Sequence, residues 1–337
     1  MKVSIKTIAK MANCSTATVS NVLNNKGMFS AATKDRVMEI VRKNKYTQNA
    51  IGRNLRTGKT ETIGITFYRP NADIFSSEFY LTLMRSVERT FAENNYEIIL
   101  SEYTDTMLER RDFPPFLMKG KVDGMIVLGG FPTETLKLFE QSQKPVVFLD
   151  TYSANVDCVI TDGKTAVKNT MKTVAEAGHT HVEYFAFNMP DYNTDMRIQG
   201  FLEGVEEYGM QKDKCKIHRN FIDNESAAKE FRQMLKQTDL PTLVMTANDK
   251  IAIALMRCAQ ECGIKIPQDI SFLGFDGIPL SQIIYPRLAT IRTDIDLLGR
   301  KGALMMLEKL KNPESKPRIE ILTPELELHA SFQRKND

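Results

Sequence analysis

The sequence has no long apolar run, and this absence argues against a membrane-spanning segment. Apolar residues make up 42% of the 337 residues, but polar and charged residues interrupt them throughout. A membrane helix needs about 20 consecutive apolar residues, and a secretion signal needs an apolar core that the N-terminus lacks. We therefore expect a soluble, cytoplasmic chain that makes no contact with a membrane.

Cysteine is scarce as well. The five cysteines, at positions 14, 158, 215, 258 and 262, are odd in number and mostly far apart, which favours a reducing compartment over a disulfide framework. Cys258 and Cys262 lie one helical turn apart, but no second pair and no nearby histidine completes a metal site. We interpret them as small buried helix residues and expect neither a metal nor a cofactor.

Motifs for catalysis and nucleotide binding are also missing. No strand-like run is followed by a glycine-rich phosphate loop, and Gly129 and Gly130 alone are a weak signal. The four histidines, at positions 179, 181, 218 and 329, form no recognisable set with serine, cysteine or aspartate. We therefore do not expect an enzyme.

Charge is distributed unevenly along the chain. Residues 1–60 contain twelve Lys and Arg against two acidic residues, a net charge of +10, whereas the remaining 33 basic and 40 acidic residues give −7. A small cationic segment on a mildly acidic body indicates that only this segment meets a polyanion. A solvated lysine-rich surface is the alternative that charge alone leaves open.

The cationic segment begins with three short predicted helices. Apolar residues recur at helical spacing in "SIKTIAKMA", "TATVSNVLN" and the stretch after Ser30, and Ser4, Ser15 and Ser30 are suitable N-caps. We expect Ala17 to belong both to the apolar face of the second helix and to its exposed start. Two helices joined by a tight turn and followed by a packing helix predict a helix-turn-helix.

In that geometry the second helix enters the major groove of DNA. Thr16, Ala17 and Asn21 are then offered to base edges, whereas Thr18, Ser20 and Asn25 face phosphates or cap the turn. The alternative is a three-helix packing module in which Asn21 is merely solvated.

The body alternates short β-rich runs with amphipathic stretches. The runs that predict strands are "TIGITFY", "EIILSEY", "DGMIVLG", "PVVFLD", "VEYFAF", "IHRNFI", "TLVMTA" and "ISFLGFD". Helices are predicted near 80–94, 107–118, 133–142, 164–177, 195–208, 225–236 and 249–262. This pattern is typical of two successive doubly wound α/β lobes with parallel sheets.

Polar residues follow several of the predicted strands. Open α/β sheets bind ligands beyond the carboxyl ends of their strands, which makes Asp150, Asn248 and Asp276 candidate ligand contacts. Asp162 and Asp249 occupy similar positions, but for them capping of the next helix is an equal alternative.

Long segments resemble the lactose/galactose repressor family of bacterial transcription regulators. The similar segments include "IKTIAKMANCSTATVSNVLNNKG", "TKDRVMEIVRKNKYTQNAIGRNLRTGKTETIGI", "TANDKIAIALM" and "GIKIPQDISFLGFDGIP", so the resemblance covers nearly the whole chain. Within the family, the head is most similar to that of the purine repressor. The family commonly has Arg at the position of Asn21. Because Asn pairs with adenine where Arg pairs with guanine, we expect a shifted base preference.

The resemblance also implies a role for the segment after the head. Residues 48–60 are too short and too polar for a stable isolated helix. In the family this segment folds on operator DNA and wedges a leucine into the minor groove. That leucine is Leu55 here, with Asn49, Ala50, Arg53 and Asn54 beside it, and an ordinary polar linker is the alternative.

In the body, the resemblance implies a cleft like that of a periplasmic sugar-binding protein. The positions that match effector contacts are Phe79, Tyr80, Asp150, Arg197, Asn248 and Asp276. Carboxylates, an amide and a guanidinium suit sugar hydroxyls, and aromatic rings suit an apolar ring face. Ile222 stands beside Phe221 where relatives often place an aromatic.

We therefore predict a head at 1–47, a hinge at 48–60 and a two-lobed body at 61–330. Lobe one would span about 61–161 and 291–320, and lobe two about 162–290 and 321–330. The predicted function is that of a homodimeric repressor that binds a roughly palindromic DNA operator and is switched by a small molecule, most simply a sugar. The alternatives are a non-sugar effector or corepressor, or a solute-binding protein with a non-regulatory basic head.

Overall fold

The computed structural model describes residues 3–23, 27, 29–46, 58–68, 74–188 and 192–335. The chain forms two compact units, Met1–Thr60 and Glu61–Asp337. They correspond to the cationic head and the acidic body.

Within its described residues, the head contains three helices, α1 (Ile5–Met11), α2 (Thr16–Leu23) and α3 (Ala31–Lys43). Each begins after a serine, and the hydroxyl oxygens of Ser4, Ser15 and Ser30 accept hydrogen bonds from backbone amides three residues later. Such caps satisfy amide groups that have no partner within the helix. The apolar faces meet in a small core of six buried residues: Ile8, Ala9, Ala12, Val19, Val22 and Val37.

One detail of the head differs from the sequence prediction. Ala17 is exposed rather than buried, because it lies on the first turn of α2, on the side opposite Val19 and Val22. Ala17 was predicted to lie both on the apolar face and at the exposed start of the second helix. The structure confirms the exposed start, and the prediction that Ala17 is part of the apolar face is wrong.

The body contains ten further α-helices within the described residues. They are α4 (Glu78–Glu93), α5 (Asp105–Arg110), α6 (Pro115–Met118), α7 (Thr133–Glu140), α8 (Gly163–Glu176), α9 (Tyr192–Glu207), α10 (Asn224–Met234), α11 (Asp249–Glu261), α12 (Pro279–Ile283) and α13 (Ile295–Lys311). The single helix expected near 107–118 is two short ones. Pro114 and Pro115 lack amide hydrogens, so one helix cannot continue through them.

Twelve strands form two six-stranded sheets in the described chain. In chain order they are β1 (Thr62–Phe67), β2 (Glu97–Glu102), β3 (Gly124–Leu128), β4 (Val146–Leu149), β5 (Asp157–Thr161), β6 (Val182–Phe185), β7 (Ile217–His218), β8 (Leu243–Thr246), β9 (Ser271–Asp276), β10 (Ala289–Arg292), β11 (Ile319–Leu322) and β12 (Glu325–Glu327). The sheet of lobe one has the order β11-β5-β4-β3-β1-β2, and that of lobe two has the order β12-β10-β9-β8-β6-β7.

All neighbouring strands are parallel except β10 and β12. The central strands are buried along their whole length. Helices cover both faces of such sheets, which explains their continuous apolar runs. The two-lobed α/β fold predicted from these runs is confirmed.

The chain crosses between the lobes three times, after β5, after β10 and after β11. The last two crossings lie slightly beyond the predicted boundaries at 290 and 320. Both predicted boundaries fall inside a strand, because β10 ends at Arg292 and β11 ends at Leu322. Each strand pairs along its length within one sheet, so the chain crosses only after the strand has ended. Each lobe has its own apolar core, and the core of lobe one also includes Ile278 from the segment after β9.

Candidate functional site

The start of α2 presents three of the predicted DNA contacts to solvent. Thr16, Ala17 and Asn21 are exposed, and Thr18 is half-buried. The side chain of Ser15 fixes this turn, because its Oγ accepts from the Thr18 amide at 3.0 Å and lies 2.9 Å from the Thr18 hydroxyl. The exposed residues therefore lie on a capped, ordered helix start.

The other predicted DNA contacts differ in their positions. Ser20 is buried, with 6% of its surface exposed, because it lies on the face of α2 that packs into the head. Little of its hydroxyl is available to a phosphate. Six further residues lie outside the described part of the chain: Asn25, Asn49, Ala50, Arg53, Asn54 and Leu55.

In the body, a cleft between the two lobes brings together all six residues predicted to contact an effector. They are Phe79, Tyr80, Asp150, Arg197, Asn248 and Asp276. Seven further residues complete its lining: Tyr68, Ser77, Gly130, Phe187, Asn193, Thr194 and Ala247. The cleft lies at the carboxyl ends of both sheets, the position expected for open α/β folds.

Two carboxylates enter the cleft from strand ends. Asp150 follows β4 in lobe one, and Asp276 ends β9 in lobe two. Both have left-handed backbone conformations, with φ of 57° and 107°. Such conformations are uncommon outside glycine and cluster at functional sites. Here they occur at the point where each chain segment turns away from its sheet.

Arg197 is the only cationic residue in the lining of the cleft as described. Its guanidinium donates to the backbone oxygen of Ala247, lies 3.6 Å from Asp276 Oδ1 and stacks 3.6 Å above the Phe275 ring. Its Nε is buried without a hydrogen-bond partner. The Arg197 charge is thus held by groups of its own lobe.

A glycine makes this position of Arg197 possible. A Cβ on Gly163, at the start of α8, would lie 2.9 Å from Arg197 Cγ. That distance is shorter than a normal contact between carbon atoms. Gly163 therefore leaves room for the aliphatic part of Arg197 to pass towards the cleft.

Aromatic rings line the lobe-one side of the cleft. Phe79 and Tyr80, at the start of α4, pack edge to face with their centroids 5.1 Å apart. The Tyr80 hydroxyl fits against Gly129, which has a φ of +75° and where a Cβ would lie only 2.8 Å away. The two rings are therefore held rigidly, and they can offer an apolar wall to a ring-shaped ligand.

The ambiguous aspartates have structural roles. Asp162 caps α8, because its Oδ1 accepts from the Thr165 amide at 3.0 Å. Asp249 is fully buried and accepts hydrogen bonds from the Thr290 hydroxyl and the Ile278 amide. Burial raises the pKa of Asp249 to about 7, although these hydrogen bonds act in the opposite direction. Neither residue lines the cleft.

Asn248, not Asp249, caps α11. Its Oδ1 accepts from the Ile251 amide at 2.9 Å, so the side chain is fixed at the helix start and also borders the cleft. Capping and ligand contact are therefore compatible for this residue.

Sequence reasoning missed several residues of the cleft, above all Phe187 and Asn193. Phe187 lies two residues beyond the end of β6. Residues that closely follow a strand of an open α/β sheet are candidates for ligand contact, so the sequence could have identified it. It packs against Phe221 with centroids 5.6 Å apart. Phe221 is buried and Ile222 is 52% exposed, and neither lines the cleft. In lobe two, Phe187 thus supplies the aromatic side chain that was sought at Ile222.

The described residues contain no group of three or more His, Cys, Asp or Glu that could hold a metal ion. Within the same residues, every helix is too short or too polar to cross a membrane.

Two protein families match this chain. Residues 4–49 match the family described as bacterial regulatory proteins, lacI family. Residues 171–332 match the family described as periplasmic binding protein-like domain. The first match covers the three helices of the head, and the second lies mostly in lobe two.

Curated relatives are similar over almost their whole length. The HTH-type transcriptional repressor PurR of Aliivibrio salmonicida is 28% identical over 98% of this chain and 99% of its own. The ribose operon repressor of Haemophilus influenzae is 27% identical over 97% and 98%.

Solved structures share the fold. The lac repressor dimer bound to operator and the anti-inducer ONPF superposes with a TM-score of 0.84 at 20% identity, covering 99% of this chain and all of the other. A LacI family transcriptional regulator from Enterococcus faecium with bound ribose has a TM-score of 0.71 at 26% identity, covering 81% of this chain and 99% of the other.

Proposed function

We propose that this chain, whose residues 4–49 match the lacI family of bacterial regulatory proteins, is a transcriptional repressor whose affinity for operator DNA is switched by a small molecule in the cleft. The observation that carries the proposal is the joining, in one chain, of a capped helix-turn-helix head with a two-lobed body. The cleft of that body gathers two carboxylates, two amides and a guanidinium.

The head binds DNA in this proposal. Its net charge of +10 supplies attraction to phosphates. The exposed Thr16, Ala17 and Asn21 supply contacts to base edges. We assign Asn25, Asn49, Ala50, Arg53, Asn54 and Leu55 to the same surface only on the strength of the family resemblance.

A homodimer is part of the proposal. The lac repressor, which shares the fold, has been solved as a dimer bound to operator. Two heads related by a two-fold axis would recognise two half-sites of a roughly palindromic operator.

The lining of the cleft favours an uncharged, hydroxyl-rich ligand, and we propose a sugar. Asp150 and Asp276 accept hydrogen bonds, whereas Arg197 and Asn248 can donate them. The single guanidinium lies beside Asp276, so no excess positive charge attracts a phosphate ester. The ribose bound to the Enterococcus faecium regulator is a ligand of this kind.

Coupling between cleft and head requires only that the ligand prefers one arrangement of the lobes. A ligand shifts such an equilibrium by the difference between its affinities for the two states, typically about 1–3 kcal/mol. That difference changes operator affinity by a factor of about 5–150. We propose that the protein works in this way in the cytoplasm, where its operator DNA lies, and that it has no enzymatic activity.

The proposal is tested by selecting bound sequences from random double-stranded DNA with the full-length protein. Enrichment of a palindrome, with affinity that falls steeply as salt concentration rises, is the expected result. Asn21→Ala should relax the preference at one base position per half-site, and Lys335→Ala, far along the chain from the head, serves as the control. Recovery of unrelated sequences only would overturn the proposal and leave a nonspecific basic protein.

A further inference from the structure

Asp249 is a fully buried carboxylate that is adjacent in sequence to a residue of the cleft. It follows Asn248, which caps α11 and borders the cleft, but it is not itself among the residues that line the cleft. Burial of a carboxylate is costly unless hydrogen bonds replace those lost to water. The hydrogen-bond partners of Asp249 therefore indicate which part of lobe two it stabilises.

The sheet of lobe two holds one oxygen of this carboxylate. The hydroxyl of Thr290, on β10, donates to Asp249 Oδ1 at 2.6 Å. On the neighbouring strand β9, a Cβ on Gly274 would overlap the same Oδ1. A side chain at position 274 would therefore displace the carboxylate. The sheet thus leaves room for Asp249 and fixes its orientation.

The other oxygen holds the turn that follows β9. Asp249 Oδ2 accepts from the Ile278 amide at 2.8 Å, and a hydrogen bond from the Gly277 amide reaches the same carboxylate. The turn begins with two successive left-handed conformations, at Asp276 with a φ of 107° and at Gly277 with a φ of 72°. A non-glycine residue keeps such a conformation only where its surroundings hold it. Asp249 supplies part of that support.

The same turn carries a cleft residue and two contacts with lobe one. Asp276 lines the cleft at its beginning. Ile278 then packs into the core of lobe one, and the Leu280 amide donates to Glu78 Oε2 at 2.9 Å. Glu78 immediately precedes Phe79, which lies in the opposite wall of the cleft. The conformation of residues 276–280 therefore affects both the chemistry of the cleft and the contact between the lobes.

We propose that Asp249 is a positioning residue of the cleft. Its carboxylate holds residues 276–280 in the conformation that directs Asp276 into the cleft. The same conformation places Ile278 and Leu280 against lobe one. The proposal rests on the proposed function only in treating the cleft as an effector site.

Two amides that do not bond to Asp249 report whether the turn keeps its position. The Thr293 amide donates to the backbone oxygen of Asp276 at 3.1 Å, and the Leu280 amide donates to Glu78. Their hydrogen exchange would be measured in the full-length protein by mass spectrometry with fragmentation to single residues. The Met245 amide, on the buried central strand β8, is the reference for the stability of lobe two as a whole.

Asp249→Ala removes the acceptor and should release the turn. A hydrogen bond to a charged group shifts an equilibrium by about 10- to 150-fold. Exchange at Thr293 and Leu280 should therefore accelerate about tenfold or more relative to Met245. Asp249→Leu fills the space without supplying an acceptor and should have the same effect, which separates loss of the hydrogen bonds from the opening of a cavity.

Asp249→Asn should restore the exchange rates of the wild type. Its side-chain oxygen can accept from Ile278 while its NH₂ group donates to the Thr290 hydroxyl, which accepts as well as donates. Burial raises the pKa of Asp249 to about 7, so an uncharged side chain of the same shape costs little here near neutral pH. Thr290→Val is the matched control, because it removes a hydrogen bond from the same carboxylate but leaves the acceptor for the turn.

The pattern of exchange decides between positioning and general stabilisation. Acceleration at Thr293 and Leu280 relative to Met245 in the Ala and Leu variants, with wild-type ratios in the Asn and Val variants, supports positioning. Equal acceleration at all three amides, or the same ratios in Thr290→Val as in Asp249→Ala, would overturn it. The measurement uses neither DNA nor a ligand, so this proposal can fail while operator recognition stands, and the reverse.

Discussion

A half-buried histidine in lobe two should make the stability of that lobe depend on pH. His218, at the end of β7, has its Nε2 2.6 Å from Glu183 Oε2 and its Nδ1 2.9 Å from Glu230 Oε1. Ionised carboxylates only accept hydrogen bonds, so both ring nitrogens donate and the ring is positively charged. His181, the residue before β6, also approaches Glu183, at 3.5 Å.

The environment shifts the pKa values of this group in opposite directions. Burial opposes the charged form of His218, but its hydrogen bonds to Glu183 and Glu230 and the charges of these residues more than offset it, so its pKa is raised above 6.5. Burial likewise opposes ionisation of Glu183, and the hydrogen bond and charge of His218 outweigh it, so that pKa is lowered. The stabilisation from His218 is fully present below pH 6.5 and is lost as pH rises through its raised value.

His218→Gln tests this reasoning. It keeps one donor but removes the charge between two carboxylates, one of which, Glu183, is fully buried. Removing one partner of a buried ion pair lowers the free energy of unfolding by about 3–5 kcal/mol. The assay is urea unfolding of both proteins, followed by circular dichroism between pH 6 and 9. The difference in free energy should be largest near pH 6 and should shrink as the wild-type histidine loses its proton.

Two comparisons make the result interpretable. Burial lowers the pKa of His179, but this residue is present in both proteins, so its effect cancels. His329→Gln is the control, because His329 lies 3.5 Å from Glu327 and has no short hydrogen bond to lose from its Nε2. A free-energy difference for His218→Gln that stays constant from pH 6 to 9 would refute the charged triad.

Three further predictions concern the head and the cleft. Ser15→Ala removes the cap that accepts from Thr18 and should lower the stability of the head by about 1 kcal/mol, measured by thermal unfolding of the full-length protein, with Ser15→Asn retaining most of it. Asn21→Arg should move the preferred base from adenine towards guanine in a repeated DNA selection, and an unchanged operator would contradict the assigned contact. Gly163→Ala should displace Arg197. Sugar binding measured by calorimetry should weaken about tenfold or more, because a charge-assisted hydrogen bond is lost. Unaltered affinity would show that Arg197 does not bind the ligand.

The sequence predicted the central strands well because each is a buried run bounded by turn residues. It missed β5, β10, β11 and β12, of which the last two lie at sheet edges and carry exposed residues. For β7 the prediction of six residues was too long, since only Ile217 and His218 pair with β6. Edge strands are not buried on both faces, so they lack the continuous apolar run by which a strand is recognised in a sequence.

For the cleft, strand ends and the family resemblance together identified six residues that do lie in one cavity. Phe187 and Asn193 were missed for a different reason. The contribution of Asn193 to the cleft depends on its hydrogen bond to Asp150. Asp150 belongs to the other lobe and lies 43 positions earlier in the chain. Such a contact depends on the angle between the lobes, which local patterns in the sequence do not contain.

The most direct test of the central claim is the effect of a sugar on operator affinity. Binding of the full-length protein to its selected DNA would be titrated by fluorescence anisotropy, with and without each member of a panel of free pentoses, hexoses and disaccharides and of their phosphate esters. We expect at least one uncharged sugar to change the dissociation constant by about 5- to 150-fold, and Asp276→Asn to abolish that change while leaving operator binding without sugar intact. Operator affinity that no sugar alters, or that only a phosphate ester alters, would contradict the proposed effector.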